Sequence, residues 1–242
     1  MTKEFSQLFE YIEKMRSRYL LVLSALNIYD CLVALLIHKK VGKKRALKNE
    51  KTIKNFGYFF MTTKESCRCF FLIELAKFFD KPSRHKTLTV YQVLDYAKKN
   101  INSLTKEHFQ QYHQERKILR DISDGYKEFS LSDLTKISKK IDSKRGIIKK
   151  LKDYRDQYLA HDDLDKIKVD ITKKDIRQIL NLLKSFIELF YYKLDFASTR
   201  YNNFTETPYA ETKLIVEHLQ NYEKYRIKEI EGKYNIKLPI QK

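Results

Sequence analysis

The sequence predicts an all-α protein on three observations. Only five Gly and three Pro occur in 242 residues, and sheets joined by tight hairpins need far more turn punctuation than long helices do. Apolar residues recur at three- and four-residue steps in segment after segment. A hydrophobic share of 43% is that of a folded globular chain, not of a disordered one. Two parts are expected: a core bundle over residues 1–200 and a helical appendage over 201–242.

The first helix is expected over residues 4–38, amphipathic early and then apolar nearly all round. Residues 20–37 have about the length of a membrane span. Ser24, Asn27 and Asp30 lie near the middle of this run, however, and a mid-bilayer Asp costs about 2.5–3.5 kcal/mol on insertion scales. A buried core helix fits better, so no membrane is expected as a partner. Residues 39–54 carry eight Lys or Arg against Glu50 alone and read as a basic connector. The second helix is expected over residues 52–79, dense in apolar residues from Cys69 to Phe79, and broken by Pro82 within a polar run.

A shorter helix follows over residues 89–99, with Val90, Val93, Leu94 and Ala97 at helical spacing. Another is expected from Thr105 toward Phe129. The next starts near Ser132, with Ser130 and Asp133 as a capping box, and extends toward His161. Residues 162–171 are polar and turn-rich. Thr172 and Asp175 form a second capping box that opens an apolar helix through Ile176, Leu180, Leu183, Ile187 and Phe190 to about Ala197. A charged, Tyr-bearing helix follows Pro208.

The charge balance, 49 basic against 31 acidic residues or +18, favours polyanionic partners such as nucleic-acid phosphates. A general Lys-, Asn-, Ile- and Tyr-rich composition gives the same balance without any such partner. Three cysteines, Cys31, Cys67 and Cys69, fit a reducing, cytoplasmic compartment. Lys3, Glu4 and Glu10 precede any apolar run, so a secretory leader is not expected. Cys67 and Cys69 lack zinc-site spacing, and His108 and His113 miss the i, i+4 geometry of a helical metal pair. No metal and no cofactor are expected.

Chemistry concentrates after Ser132. Leu134, Ile137, Ile141, Ile148, Leu151 and Tyr158 define one buried stripe, and Arg155 falls on it. A guanidinium on an apolar face keeps its charge, so it must reach water, find a partner, or line a cavity. His161 lies six residues on, about 9 Å along an ideal helix and turned by roughly 600°, so the two share a face only if the last turn unwinds. A two-fold dimer packing these helix ends together would gather two Arg and two His in one pocket. Asn27 and Asp30 lie one turn apart on the most apolar helix, where buried polar groups need partners. Two roles are open to Asp30: a charge that steers Arg155, or half of a local pair fixing helix register.

The run Arg155-Asp156-Gln157-Tyr158-Leu159-Ala160-His161 resembles the R-x(4–6)-H motif of the HEPN superfamily in its R-D-x-x-x-A-H form. Together with residues 26–30, the break from Asp80 to Leu88-Thr89, and the stretch 169–171, it resembles the AbiU-like abortive-infection branch. That resemblance implies an up-and-down helical bundle, an HEPN-like four-helix core with extra helices, together with a homodimer and metal-independent cleavage of single-stranded RNA by a toxin or antiphage effector. Arg155 would neutralise the scissile phosphate. His161 would act as general acid or base, leaving a 2′,3′-cyclic phosphate and a 5′-hydroxyl. Asp156 would orient the site, and a neutralising antitoxin or regulatory protein would be the partner. The position two residues after the histidine, a modifiable Tyr in some HEPN toxins, is Asp163 here. The alternatives are a non-catalytic interaction or regulatory module of a defence or toxin–antitoxin system, and a basic nucleic-acid binder without chemistry.

Overall fold

A computed structural model describes residues 3–81, 88–114, 126–160, 170–199 and 201–235. These are helical almost throughout, and no strand occurs among them. In chain order they form α1 (Lys3–Ala34), the single turn α2 (His38–Val41), α3 (Lys43–Asn55), α4 (Gly57–Lys77) and α5 (Val90–Lys99). A 3₁₀ turn (Ile101–Ser103), α6 (Lys106–Tyr112), α7 (Leu131–Asp142) and α8 (Arg145–Arg155) follow. A π-helical turn (Asp156–Ala160), α9 (Lys173–Asp195) and α10 (Asn202–Tyr234) complete the fold.

The chain divides into two compact units. The first comprises residues 1–22 and 69–200, the second residues 23–68 and 201–242. Helix α3 and parts of α1 and α4 group with the C-terminal helix.

The first unit holds the larger core. On α1, Phe5, Leu8, Ile12, Met15 and Tyr19 recur at three- and four-residue steps and are buried, the stripe a helix must present to a core. Phe71, Leu75, Phe78 and Phe79 come from the α4 end, and Leu183, Phe186, Ile187, Phe190 and Leu194 from α9. The Tyr19 hydroxyl donates to the Leu180 carbonyl at 3.2 Å. Both capping boxes form. Ser130 Oγ and Thr172 Oγ1 each accept the backbone N–H three residues on, and Asp133 and Asp175 return the bond.

In the second unit, Cys31, Leu32, Leu35, Phe60 and Val216 form a smaller cluster, flanked by Ile28, Ile53, Phe56, Tyr209 and Leu219. Asn49 is buried, donates to the Leu35 carbonyl at 2.9 Å and accepts from Gln220 Nε2 at 3.0 Å. Among the described residues α1 alone is long and apolar enough to cross a membrane. Residues of its apolar run, including Leu20, Val22, Leu23, Cys31 and Leu32, are buried against protein.

Several of the expected elements differ. Helix α1 ends at Ala34, short of residue 38. The basic connector is itself mostly helix, because Ala46, Asn49 and Thr52 are buried at three-residue steps while its lysines face water. Gly42 separates α2 from α3 at φ 83°, a left-handed conformation that favours glycine. The helix expected from Thr105 stops at Tyr112, and residues 126–130 are not helical. The long helix toward His161 is two helices broken at Ser143–Lys144, where the Ser143 hydroxyl donates to the Lys140 carbonyl at 2.7 Å. Finally, α10 begins at Asn202 and carries Pro208 inside it rather than starting beyond it.

Candidate active site

Five of the six residues expected to form the stripe on the chemistry-bearing segment are buried: Leu134, Ile137 and Ile141 on α7, and Ile148 and Leu151 on α8. The sixth, Tyr158, is only partly buried. Arg155 occupies the next position of that face, at the last residue of α8. Its side chain retains 15% exposure, so it stands at the rim of the core with its head group held rather than free.

Two carboxylates hold it. Arg155 Nη1 donates to Asp80 Oδ2 at 2.7 Å, and Nε donates to Asp156 Oδ1 at 2.7 Å. Asp80 lies just past the end of α4, three residues beyond Lys77, and its other oxygen is 3.3 Å from Lys152 Nζ. Burial by itself would lower the guanidinium pKa. The hydrogen bonds and charges of Asp156 and Asp80 outweigh it and hold Arg155 above its ordinary value. The group is a permanent cation.

The chain changes pitch immediately after this arginine. Residues 156–160 close i→i+5 bonds instead of i→i+4, and π-turns of this kind recur at functional sites. The wider turn ends the α-helical register at Arg155. Tyr154 and Tyr158 stack across the junction, ring centroids 5.0 Å apart. The buried Gln157 Oε1 has no hydrogen-bond partner among the described residues.

Of the residues singled out from sequence, Arg155 and Asp156 are brought together. His161 lies outside the described residues, as do Asp162, Asp163 and Asp165. Asn27 and Asp30 belong to the second unit and Arg155 to the first; the Asn27 amide donates to the Leu23 carbonyl at 2.7 Å. Two residues at the site went unassigned in the sequence, Asp80 and Lys152. Lys152 could have been found at i−3 from Arg155 on the same helix. For Asp80 the signal was weaker: an acid closing an apolar run, 75 positions away.

His113 is buried with Nε2 at 2.8 Å from the Leu194 carbonyl and 3.7 Å from Asp195 Oδ1, packed on Phe109 and Tyr112. It is a core histidine tied to the end of α9.

Against known proteins, the family model described as AbiU2, of the HEPN group, matches residues 5–213. The chain belongs to the HEPN AbiU2 family. The match spans α1 to the first third of α10, and so takes in Asp80, Lys152, Arg155 and Asp156 as well as His161. Both compact units of this HEPN protein contribute to the matched region. No curated protein and no solved structure matches the chain. Membership puts this protein with HEPN domains related to abortive infection and toxins.

Proposed function

We propose that this HEPN protein is a metal-independent endoribonuclease that cleaves single-stranded RNA as a toxin or antiphage abortive-infection effector. The observation that carries the reading is Arg155: a permanent cation fixed by two carboxylates at the edge of the core, at the first position of the R-D-x-x-x-A-H segment. A phosphodiester needs such a group, because negative charge grows on its non-bridging oxygens as the attacking oxygen closes on phosphorus. His161 supplies the proton transfers. It removes the proton from the ribose 2′-hydroxyl, or delivers one to the 5′-oxygen as the P–O5′ bond breaks. The new bond joins the 2′-oxygen to phosphorus, so the products are a 2′,3′-cyclic phosphate and a 5′-hydroxyl. Asp156 orients the guanidinium through Nε.

The protein acts in the cytoplasm as a homodimer, with two such sites in one cleft and with an antitoxin or regulatory protein restraining it. The formal charge of +18 supports RNA as the ligand, since clustered Lys and Arg release counterions from a polyanion.

A second reading has its own observation. Asp80 and Asp156 already occupy part of Arg155, which is what a purely structural arginine in a non-catalytic interaction or regulatory module would show. One experiment separates the two. Labelled single-stranded RNA is incubated in EDTA with the wild type, Arg155→Ala and His161→Ala. Cleavage by the wild type that disappears in both variants, with cyclic-phosphate ends, supports the nuclease. No cleavage by any of the three supports the module, and equal cleavage by all three shows contamination and removes the enzyme reading.

A further inference from the structure

The arrangement around Asp80 goes further than holding one arginine. We propose that Asp80 is a positioning residue that sets Arg155 and Lys152 side by side as a two-cation cradle for the scissile phosphate, with Lys152 as the second phosphate-binding side chain. The proposal rests on the nuclease reading and adds two residues to it.

Residues 152 and 155 are one turn apart on α8, so their side chains leave the helix as neighbours. Two like charges at that spacing repel unless an anion lies between them. Asp80 provides one from the end of α4, giving Oδ1 to Lys152 at 3.3 Å and Oδ2 to Arg155 at 2.7 Å. A single carboxylate therefore bridges two cations. Asp156 is a second acid on Arg155, 2.7 Å from Nε, but its half-exposed side chain leaves it the more open to water of the two.

The donor count decides what the cradle can still bind. A guanidinium has five N–H donors and an ammonium three. The bonds to Asp80 and Asp156 use two of the first set, and Asp80 uses one of the second. Among the described residues, three donors on Arg155 and two on Lys152 are left for an anion. Both side chains are partly exposed, at 15% and 27%, so neither is fully enclosed by the core. A tetrahedral phosphate offers two non-bridging oxygens to such a pair, one for each cation.

Asp80→Asn tests this directly, because it keeps the shape and removes the charge. Turnover of single-stranded RNA should fall at least tenfold as the guanidinium loses its fixed direction. Affinity for a 2′-O-methyl RNA oligonucleotide, which cannot form a cyclic phosphate, should stay within twofold or tighten, since a negative charge has left the cradle. Asp80→Glu should restore part of the lost turnover. Lys152→Ala should weaken the 2′-O-methyl probe several-fold and lower its salt slope by about one, while Lys152→Arg preserves both. A merely structural Asp80 would instead lose probe affinity together with turnover. That result, or Asp80→Asn turnover within twofold of wild type, overturns the proposal. Should the wild type show no Arg155-dependent cleavage, the nuclease reading alone falls. The probe arm then still decides the cradle: weakening by Arg155→Ala and Lys152→Ala but not by Asp80→Asn supports it, and equal affinities for all refute it.

Discussion

The Asp80–Arg155 contact can be measured without reference to catalysis, through a double-mutant cycle in stability. The perturbations are Asp80→Asn, Arg155→Met and the pair. The bond is 2.7 Å long between side chains 29% and 15% exposed, which places it between two known limits. Exposed ion pairs contribute about 0.2–1 kcal/mol, while breaking a fully buried pair costs about 3–5 kcal/mol. At roughly 4 Å between charge centres and an effective dielectric of about 20, Coulomb's law gives about 4 kcal/mol, from which desolvation of both groups is subtracted. A coupling of about 1.5–2 kcal/mol follows, within the range of about 1.5–3 kcal/mol for hydrogen bonds to charged groups. Asp80→Asn should cost more than Arg155→Met. The first leaves a half-buried cation with one carboxylate fewer, whereas the second removes the cation and its desolvation penalty together. Urea denaturation of the four proteins, fitted with a common slope, reads the coupling. It should survive a change from about 0.1 to about 1 M NaCl better than an exposed pair would, because partly buried pairs are screened less by salt than exposed ones. A coupling below about 0.5 kcal/mol, the lower part of the exposed-pair range, or one abolished by salt, would mean that the guanidinium is not held by Asp80. The geometric basis of the cradle would go with it.

Two further outcomes follow from the same physics. Burial alone would raise the Glu74 pKa, but its hydrogen bonds to Lys77 at 2.8 Å and Arg18 at 3.1–3.2 Å outweigh this and hold it below the usual carboxylate range. Its contribution is complete above the unfolded value of about 4.3 and disappears as pH falls through the folded one. Melting temperature should therefore drop steeply below about pH 4, and Glu74→Gln should make that acid limb shallower; an unchanged limb would place the effect elsewhere. Thr172→Ala removes the cap of α9, the helix that carries Phe186 and Phe190, and should cost about 1 kcal/mol, or about 2–4 °C in melting temperature, by differential scanning calorimetry.

The helical class, both capping boxes and the α9 core face were legible because each is local: a helical periodicity and a Ser or Thr three residues ahead of an acid. The departures share a physical cause. Helix α3 buries Ala46, Asn49 and Thr52, residues too small or polar to register as an apolar stripe beside the many basic side chains around them. The break at Ser143–Lys144 is hidden because Ile141 and Ile148 are seven residues apart, a spacing that keeps both on one face whether or not the helix is continuous. The grouping of α3 with α10 includes Asn49 meeting Gln220 across 171 positions, and no local pattern encodes that.

The site divides along the same line. Arg155 was visible because a charge that cannot be neutralised interrupted an apolar face, and Asp156 because it stands beside it. Asp80 was not, since an acid between Phe79 and Lys81 at the end of a helix looks like an ordinary solvated cap until the fold returns α8 to it. The contrast explains why R-x5-H by itself has little power: its spacing covers Arg155 and Asp156 but not Asp80, which comes from just past the end of α4. Counting along an ideal helix also misleads from residue 156 onward, where the i→i+5 turn replaces the α-helical register. A sequence pattern that paired the Arg-Asp step with a lysine three residues earlier and an acid closing the preceding core helix would describe the assembled cradle, and would be far rarer by chance than either half.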